Sequence, residues 1–167
     1  MGLKEPGLRG SLRNVSVGID AIPDSVVSRP DDNDDFSTDD ERGLEIETKA
    51  EWPSIAARIS NNTSGATRAY LRETDETLIQ DVDISGKSSG DIVVFEDVNL
   101  DETATYWITH DAEGGSYTAG FSDGATDYPY TSDDIDITGR VLIGGDPPVQ
   151  NNAAAHWNDI GNPEGVL

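Results

Sequence analysis

Short runs of alternating apolar and polar residues dominate the chain from residue 43 onward. In "GLEIETKAEW", Leu44 and Ile46 alternate with Glu45 and Glu47, which is the pattern of a strand with one buried face and one wet face. The alternation predicts further strands at "SIAARIS", "ATRAYLRET", "TLIQDVDIS", "DIVVFEDVNL", "ATYWITHDAEG", "SYTAGFS" and "IDITGRVLIGG".

Turn-forming segments such as "NNTSG" and "GKSSG" separate these runs. Many short strands at regular spacing, without a competing helical period, predict an all-β protein built as an antiparallel β-sandwich or jelly roll with an extended N-terminal arm. The segment "AAAHWNDI" near the C-terminus fits either a helical turn or a last strand. We expect the three tryptophans to pack in the core or at its edge: Trp52, Trp107 and Trp157.

The segments flanking the predicted sandwich have a different character. Residues 1–19 carry three cations and one acid, in a protein whose net charge is −22. Such a basic, partly apolar arm suits docking onto an acidic partner surface. Residues 20–42 contain Pro23, Pro30 and a run of acids, and we expect them to form a stiff, solvated spacer. The predicted divisions are therefore an arm and spacer at 1–42, a β-sandwich at 43–145 and a C-terminal extension at 146–167.

The charge composition indicates a protein adapted to high salt. Acids outnumber bases 33 to 11, and the chain has only three lysines: Lys4, Lys49 and Lys87. At about 1 M salt the Debye length falls to about 3 Å, so the self-repulsion of such a chain largely disappears. We expect the surface of an extreme halophile, and we expect no nucleic-acid partner because phosphates would meet like charge.

Cysteine usage and hydropathy limit other functions. The chain has no cysteine, so it can form neither a disulfide nor a thiolate metal site. It shows no apolar signal-peptide core and no run of about 18 apolar residues, so no membrane insertion is expected.

The acidic stretch "DDNDDFSTDDE" starts like a calcium loop. Asp31, Asn33 and Asp35 match the first oxygen ligands of an EF-hand. However, Phe36 occupies the position that needs glycine, and Arg42 occupies the position of the bidentate glutamate. We therefore predict no metal site there.

Catalytic signatures are missing around the two histidines, His110 and His156. No serine lies in a nucleophile elbow, and no phosphate-binding glycine loop appears. The abundant acids allow no particular carboxylate pair to be nominated. The prediction is a non-enzymatic protein without a cofactor and without catalytic residues.

Tyrosines cluster between residues 117 and 130. Exposed tyrosines beside carboxylates suit sugar rings, because the aromatic face packs on C–H groups while the acids accept hydrogen bonds from hydroxyls. Packing of these tyrosines onto the sandwich core is the alternative. The candidate glycan-binding residues are Tyr117, Asp127, Tyr128 and Tyr130.

Two segments carry a family resemblance. The stretch "GLRGSLRNVSVGIDAIPDSVVSRP" resembles the N-terminal segment of tail-fibre-like and adhesin-like proteins of haloarchaeal tailed viruses and proviruses. The stretches "ISNNTSGATRAYLRETDETLIQDVDISG" and "YWITHDAEGGSYTAGFSDGATDYPYTSDDIDITG" resemble their β-sandwich modules. The resemblance implies that the arm anchors the protein to the virion, through Leu8, Arg9, Leu12, Arg13 and Val15.

The expected function is therefore that of a structural virion protein, a short tail fibre or adhesin that attaches the virus to its host. A capsid decoration or turret protein is an alternative, as is a carbohydrate-binding module of a haloarchaeal glycan-processing system. Expected partners are other virion proteins through the arm, further copies of the chain in a homo-oligomer such as a trimer, and a host glycan or S-layer glycoprotein. Assembly would take place in the host cytoplasm, and the mature location would be the extracellular particle.

Overall fold

A computed structural model describes residues 25–30, 32–121, 128–145, 148–150 and 157–166. The anchor residues predicted in the arm lie outside these ranges, as does Asp127. The described part contains the following elements: β1 (Val26–Ser28), β2 (Asp34–Thr38), β3 (Arg42–Thr48), β4 (Ile55–Ile59), β5 (Arg68–Glu73), β6 (Leu78–Asp83), β7 (Ile92–Phe95), β8 (Thr105–Asp111), β9 (Tyr117–Phe121), β10 (Tyr130–Thr131), β11 (Ile135–Leu142), β12 (Val149–Gln150), β13 (Trp157–Gly161) and α1 (Pro163–Val166).

The strands form an antiparallel β-sandwich. Of its two facing sheets, the smaller has the order β1-β13-β4-β7, and the larger has the order β10-β11-β3-β8-β5-β6, with β12 also paired to β11; β2 and β9 pair as a separate two-stranded sheet. One hydrophobic core lies between the two facing sheets, containing Ile55, Phe95 and Trp157 from the smaller sheet and Leu44 and Ile108 from the larger. The predicted all-β sandwich is confirmed. In the described ranges no helix is long and apolar enough to cross a membrane.

Strands β4 to β8 follow a Greek-key path. The chain passes from β4 to the larger sheet for β5 and β6, returns beside β4 as β7, and crosses again to lie beside β5 as β8. Strands B, C, C′, E and F of immunoglobulin-type sandwiches follow the same path. Tyr106, near the start of β8, adds a tyrosine corner, because its hydroxyl accepts a hydrogen bond from the Asp101 amide at 3.0 Å. In this chain β13 and β3 occupy the flanking positions of strands A and G.

The eight predicted strand runs coincide with β3 to β9 and β11. In β3 the alternation also assigned the faces correctly, because Leu44 and Ile46 have no exposed surface. Close packing between β3 and β8 requires a glycine at position 43. A Cβ added to Gly43 would lie 1.9 Å from the carbonyl oxygen of Ile108.

The predicted boundaries at residues 43 and 145 do not match the edges of the fold. Strands β1 and β2 lie within the proposed spacer, and β13 lies in the proposed C-terminal extension. β13 pairs with both β1 and β4 in the interior of the smaller sheet, so "AAAHWNDI" leads into a strand. The spacer interpretation was therefore wrong for the described part of residues 20–42. There β1 pairs with β13 and β2 pairs with β9, so the backbone forms strand hydrogen bonds instead of remaining solvated.

The sandwich has two distinct ends. At the first, which we call the arm end, residues 1–24 join the fold at Ser25, whose hydroxyl donates to Asp134 at 2.5 Å and whose carbonyl accepts from the Asn162 amide at 3.1 Å. At the opposite end, the loop end, the segments 60–67 and 84–91 connect strands. Strand β13 links the two ends, since Trp157 pairs with Ile59 while Gly161 pairs with Val26.

Candidate functional site

Tyr117 does not form a glycan platform. Its side chain lies in the core with 3% of its surface exposed, and its hydroxyl lies 3.0 Å from the carbonyl oxygen of Asp40 and 3.1 Å from that of His110. Burial raises the pKa of Tyr117. The prediction that this ring contacts sugar was wrong, because Tyr117 belongs to the buried core cluster.

Tyr128 and Tyr130 lie together where β10 borders the larger sheet. Their rings meet edge to face, with centroids 5.3 Å apart, and both are half-buried against the core. Burial is the main cause of a raised pKa at Tyr128. Both rings therefore help to close the sandwich, as in the alternative interpretation, and each retains a partly exposed surface. Their glycan-binding role stays a prediction.

Close to these tyrosines, a buried ion pair closes the sandwich beside β1. Arg29 Nη1 lies 3.3 Å from Asp32 Oδ1, and neither side chain has any exposed surface. The same Nη1 donates to the carbonyl oxygen of Trp157 at 3.3 Å, which ties the pair to β13. One carboxylate of the acidic stretch is thus an internal counter-ion.

A second carboxylate from the same stretch fastens the outer face of the larger sheet. Glu41 accepts two hydrogen bonds from Arg72, at 2.7 and 2.9 Å, and a third from the hydroxyl of Thr109. Nearby, Trp107 donates its indole N–H to Glu45 at 3.0 Å. Paired hydrogen bonds between arginine and carboxylate are among the strongest polar contacts in proteins. Glu41 and Glu45 thus bond to side chains of β5 and β8 and help to hold the strands of the larger sheet together.

His110 lies in the core below the loop end. Its ring meets Tyr117 and Trp157 edge to face at centroid distances of 5.0 and 5.2 Å. Burial lowers the pKa of His110 to about 3, which keeps the ring neutral. Trp52, Trp107 and Trp157 are also buried, with 1%, 2% and 0% exposed, which confirms their predicted packing role.

A shallow pocket opens at the loop end, between the two sheets. Its volume is about 10 Å³, which is near the space needed for one water molecule. His110 and Trp157 form part of its lining, and the exposed residues Ser64 and Lys87 also border it. The pocket can accept a small group from a ligand, but it cannot enclose a whole ligand.

Comparison with known proteins adds no relative: no protein-family model, curated protein or solved structure matches the chain. Among the side chains that the structure describes, no group of three or more histidines and acids could hold a metal ion. The acidic stretch also differs from a calcium loop, since Asp34–Thr38 forms strand β2. Within the described ranges, the tyrosine pair and the pocket at the loop end are the candidate features for function.

Proposed function

We propose that this protein is a structural component of a haloarchaeal tailed virus, a short tail fibre or adhesin that attaches the particle to its host. The observation that carries the proposal is that the arm and the loop end lie at opposite ends of the sandwich. The basic arm joins one end of the sandwich at Ser25, while the loops around Ser64 and Lys87 lie at the other end.

Three further features support this proposal. The segment "GLRGSLRNVSVGIDAIPDSVVSRP" resembles the arms of haloarchaeal fibre-like proteins. Two residues with groups common in catalysis have structural contacts, since His110 packs in the core and Glu41 binds Arg72. The acidic composition suits a surface exposed to brine. We further propose that the arm docks on other virion proteins and that copies of the chain form a closed oligomer, such as a trimer.

Deletion of residues 1–19 in the virus tests the anchor. We expect the shortened protein to fold, because the described sandwich begins at Ser25, and to be absent from purified particles. Replacing Lys4, Arg9 and Arg13 with Gln is a matched variant that keeps the chain length and removes only the cations. Normal incorporation of the shortened protein would contradict an anchoring arm.

Immunogold labelling of intact particles locates the protein and separates the alternatives. A fibre or adhesin would be labelled on the tail, whereas a decoration or turret protein would be labelled on the capsid. A carbohydrate-binding module would occur as a soluble monomer outside particles. Label on neither part of the particle would overturn the virion proposal.

A further inference from the structure

Lys87 differs in its contacts from six of the seven other cations that the structure describes, and the seventh, Arg140, is buried. Six cationic side chains in the described part of the chain form ion pairs with carboxylates: Arg29, Arg42, Lys49, Arg58, Arg68 and Arg72. No such pair involves Lys87 within the described ranges, and its side chain is exposed at the pocket. In a chain with 33 acids and 11 bases, an unpaired cation on the surface calls for an explanation.

The carboxylates closest to Lys87 in sequence are used by the loop itself. Asp83 accepts hydrogen bonds from the amide and hydroxyl of Ser85 at 2.9 and 2.7 Å. Asp91 accepts one from the amide of Ser88 at 2.7 Å. Both acids stabilise turns, as aspartates commonly do, and neither forms an ion pair with Lys87, whose exposed ammonium group can therefore contact a ligand.

The loop that carries Lys87 is fixed to the rest of the sandwich. On one side the Ile84 amide donates to the carbonyl oxygen of Thr67 at 2.9 Å, and on the other side the Gly90 amide donates to that of Ile59 at 2.9 Å. The hydroxyl of Ser89 donates to the carbonyl oxygen of Ser60 at 3.0 Å. A backbone held at both sides presents the lysine from a defined position, which reduces the ordering cost of binding.

We propose that the loop end is a recognition site for an acidic saccharide, in which Lys87 contacts a carboxylate or sulfate group. The pocket beside it receives a small substituent of the sugar, and the hydroxyl of Ser64 is available to the sugar hydroxyls. The outward orientation of this end rests on the proposed function, because an anchor through residues 1–24 places the loop end away from the virion.

The surrounding charge favours a saccharide over an acidic protein. A densely acidic protein surface would meet Asp83, Asp91 and Glu113, which are exposed around the same end. A saccharide can bring a single anionic group to Lys87 while its neutral rings face the remaining surface. At about 1 M salt, where the Debye length is about 3 Å, only such a direct contact retains appreciable strength.

Binding of purified full-length protein to immobilised polysaccharides tests the site. The probes are polygalacturonate for carboxylates, dextran sulfate for sulfates and dextran as the neutral control, all at about 1 M KCl. We expect binding to at least one anionic probe and none to dextran. Lys87→Gln should weaken that binding by about two- to fivefold for each copy of the chain that engages the probe, the range for an exposed ion pair, and Lys87→Glu should weaken it further.

Lys49→Gln is the matched control. Lys49 pairs with Asp136 at 2.6 Å near the arm end, so its replacement makes the same charge change away from the pocket and should leave binding unaltered. Ser64→Tyr tests the pocket independently, because a ring at the rim should block the sugar. Far-UV circular dichroism checks that each variant is folded.

Equal binding by wild type and Lys87→Gln would overturn the proposal, as would failure of both anionic probes to bind. Stronger, Lys87-dependent binding to poly-glutamate would overturn the saccharide class in favour of an acidic protein. These outcomes do not depend on particle assembly. Absence of the protein from virions would refute the virion role alone, whereas wild-type binding by Lys87→Gln would refute the saccharide site alone.

Discussion

Acidification should destabilise the fold through His110. In the folded protein burial between Tyr117 and Trp157 lowers the pKa of His110 from 6.5 to about 3. Below about pH 6.5 the unfolded chain therefore binds a proton that the folded chain does not bind, so the free energy of unfolding falls as the pH falls. This contribution to stability is fully present above the unfolded pKa and is lost progressively down to the folded pKa.

The magnitude follows from the two pKa values. One proton corresponds to about 1.4 kcal/mol per pH unit, so we expect a loss of about 2 kcal/mol between about pH 8 and pH 5. This range lies above the ordinary pKa values of aspartate and glutamate, about 3.9 and 4.3, which limits their contribution. Urea unfolding followed by tryptophan fluorescence at about 1 M KCl would measure it, with the buried Trp52, Trp107 and Trp157 as reporters.

Two substitutions separate His110 from the other histidine of the chain. His110→Phe keeps a ring of similar size between Tyr117 and Trp157 but cannot be protonated, so its unfolding free energy should be nearly flat over the same pH range. His156→Phe should keep the wild-type slope. Because the test compares the slopes of the unfolding free energy against pH, a constant change in stability in either variant does not affect the result. A wild-type slope in His110→Phe would refute the assignment.

Two other perturbations test how the acidic residues act. Asp32→Asn should lower the free energy of unfolding by about 3 kcal/mol or more, because it leaves the buried Arg29 without its counter-ion. The control Asp34→Asn, at an exposed position, should change the free energy of unfolding by less than about 0.5 kcal/mol. Similar urea midpoints for both variants would contradict a buried ion pair. Lowering the salt from about 1 M to 0.1 M extends the Debye length from about 3 to 10 Å, so the acids repel one another over a longer range. The free energy of unfolding of this chain, with its net charge of −22, should then fall by at least about 1 kcal/mol, which corresponds to about 2–4 °C in Tm. Sucrose in place of the salt controls for general solvent effects, and an unchanged Tm would contradict adaptation to brine.

The alternation of side chains predicted the longer strands because their burial pattern is local. Leu44 and Ile46 in β3 face the core at every second position, and a period of two requires no knowledge of the partner strand. The shorter strands lack that signal. β1 has three residues, and β2, "DDFST", offers Phe36 as its one apolar side chain. Its pairing with β9 comes from distant parts of the chain, so local sequence could not predict it.

The candidate site was harder to predict for a related reason. Spacing along the chain grouped Tyr117 with Tyr128 and Tyr130, but it cannot tell which face of β9 meets the core. The acidic stretch shows the same limit. Asp32 and Glu41 resemble their neighbours in sequence, but Asp32 pairs inside the fold with Arg29, three residues away, and Glu41 pairs with the distant Arg72. Lys87 was identified in the sequence as one of three lysines, but the sequence could not show that it forms no ion pair with the described acids, of which Asp83 and Asp91 bind backbone amides in its own loop.

The proposed saccharide contact and the proposed oligomer depend on each other energetically. One exposed ion pair gives at most about a fivefold gain in affinity, which is too little to hold a virus particle on a cell. If three sandwiches are held side by side by their arms, and three Lys87 contacts engage one glycan surface, the gains multiply to an upper limit on the order of 100-fold. The arm should therefore have two roles in attachment: it docks the protein on the virion, and it brings the loop ends of several copies together. Purified protein without residues 1–19 should then bind the anionic probe with the weak affinity of a single site, and its remaining binding should still depend on Lys87.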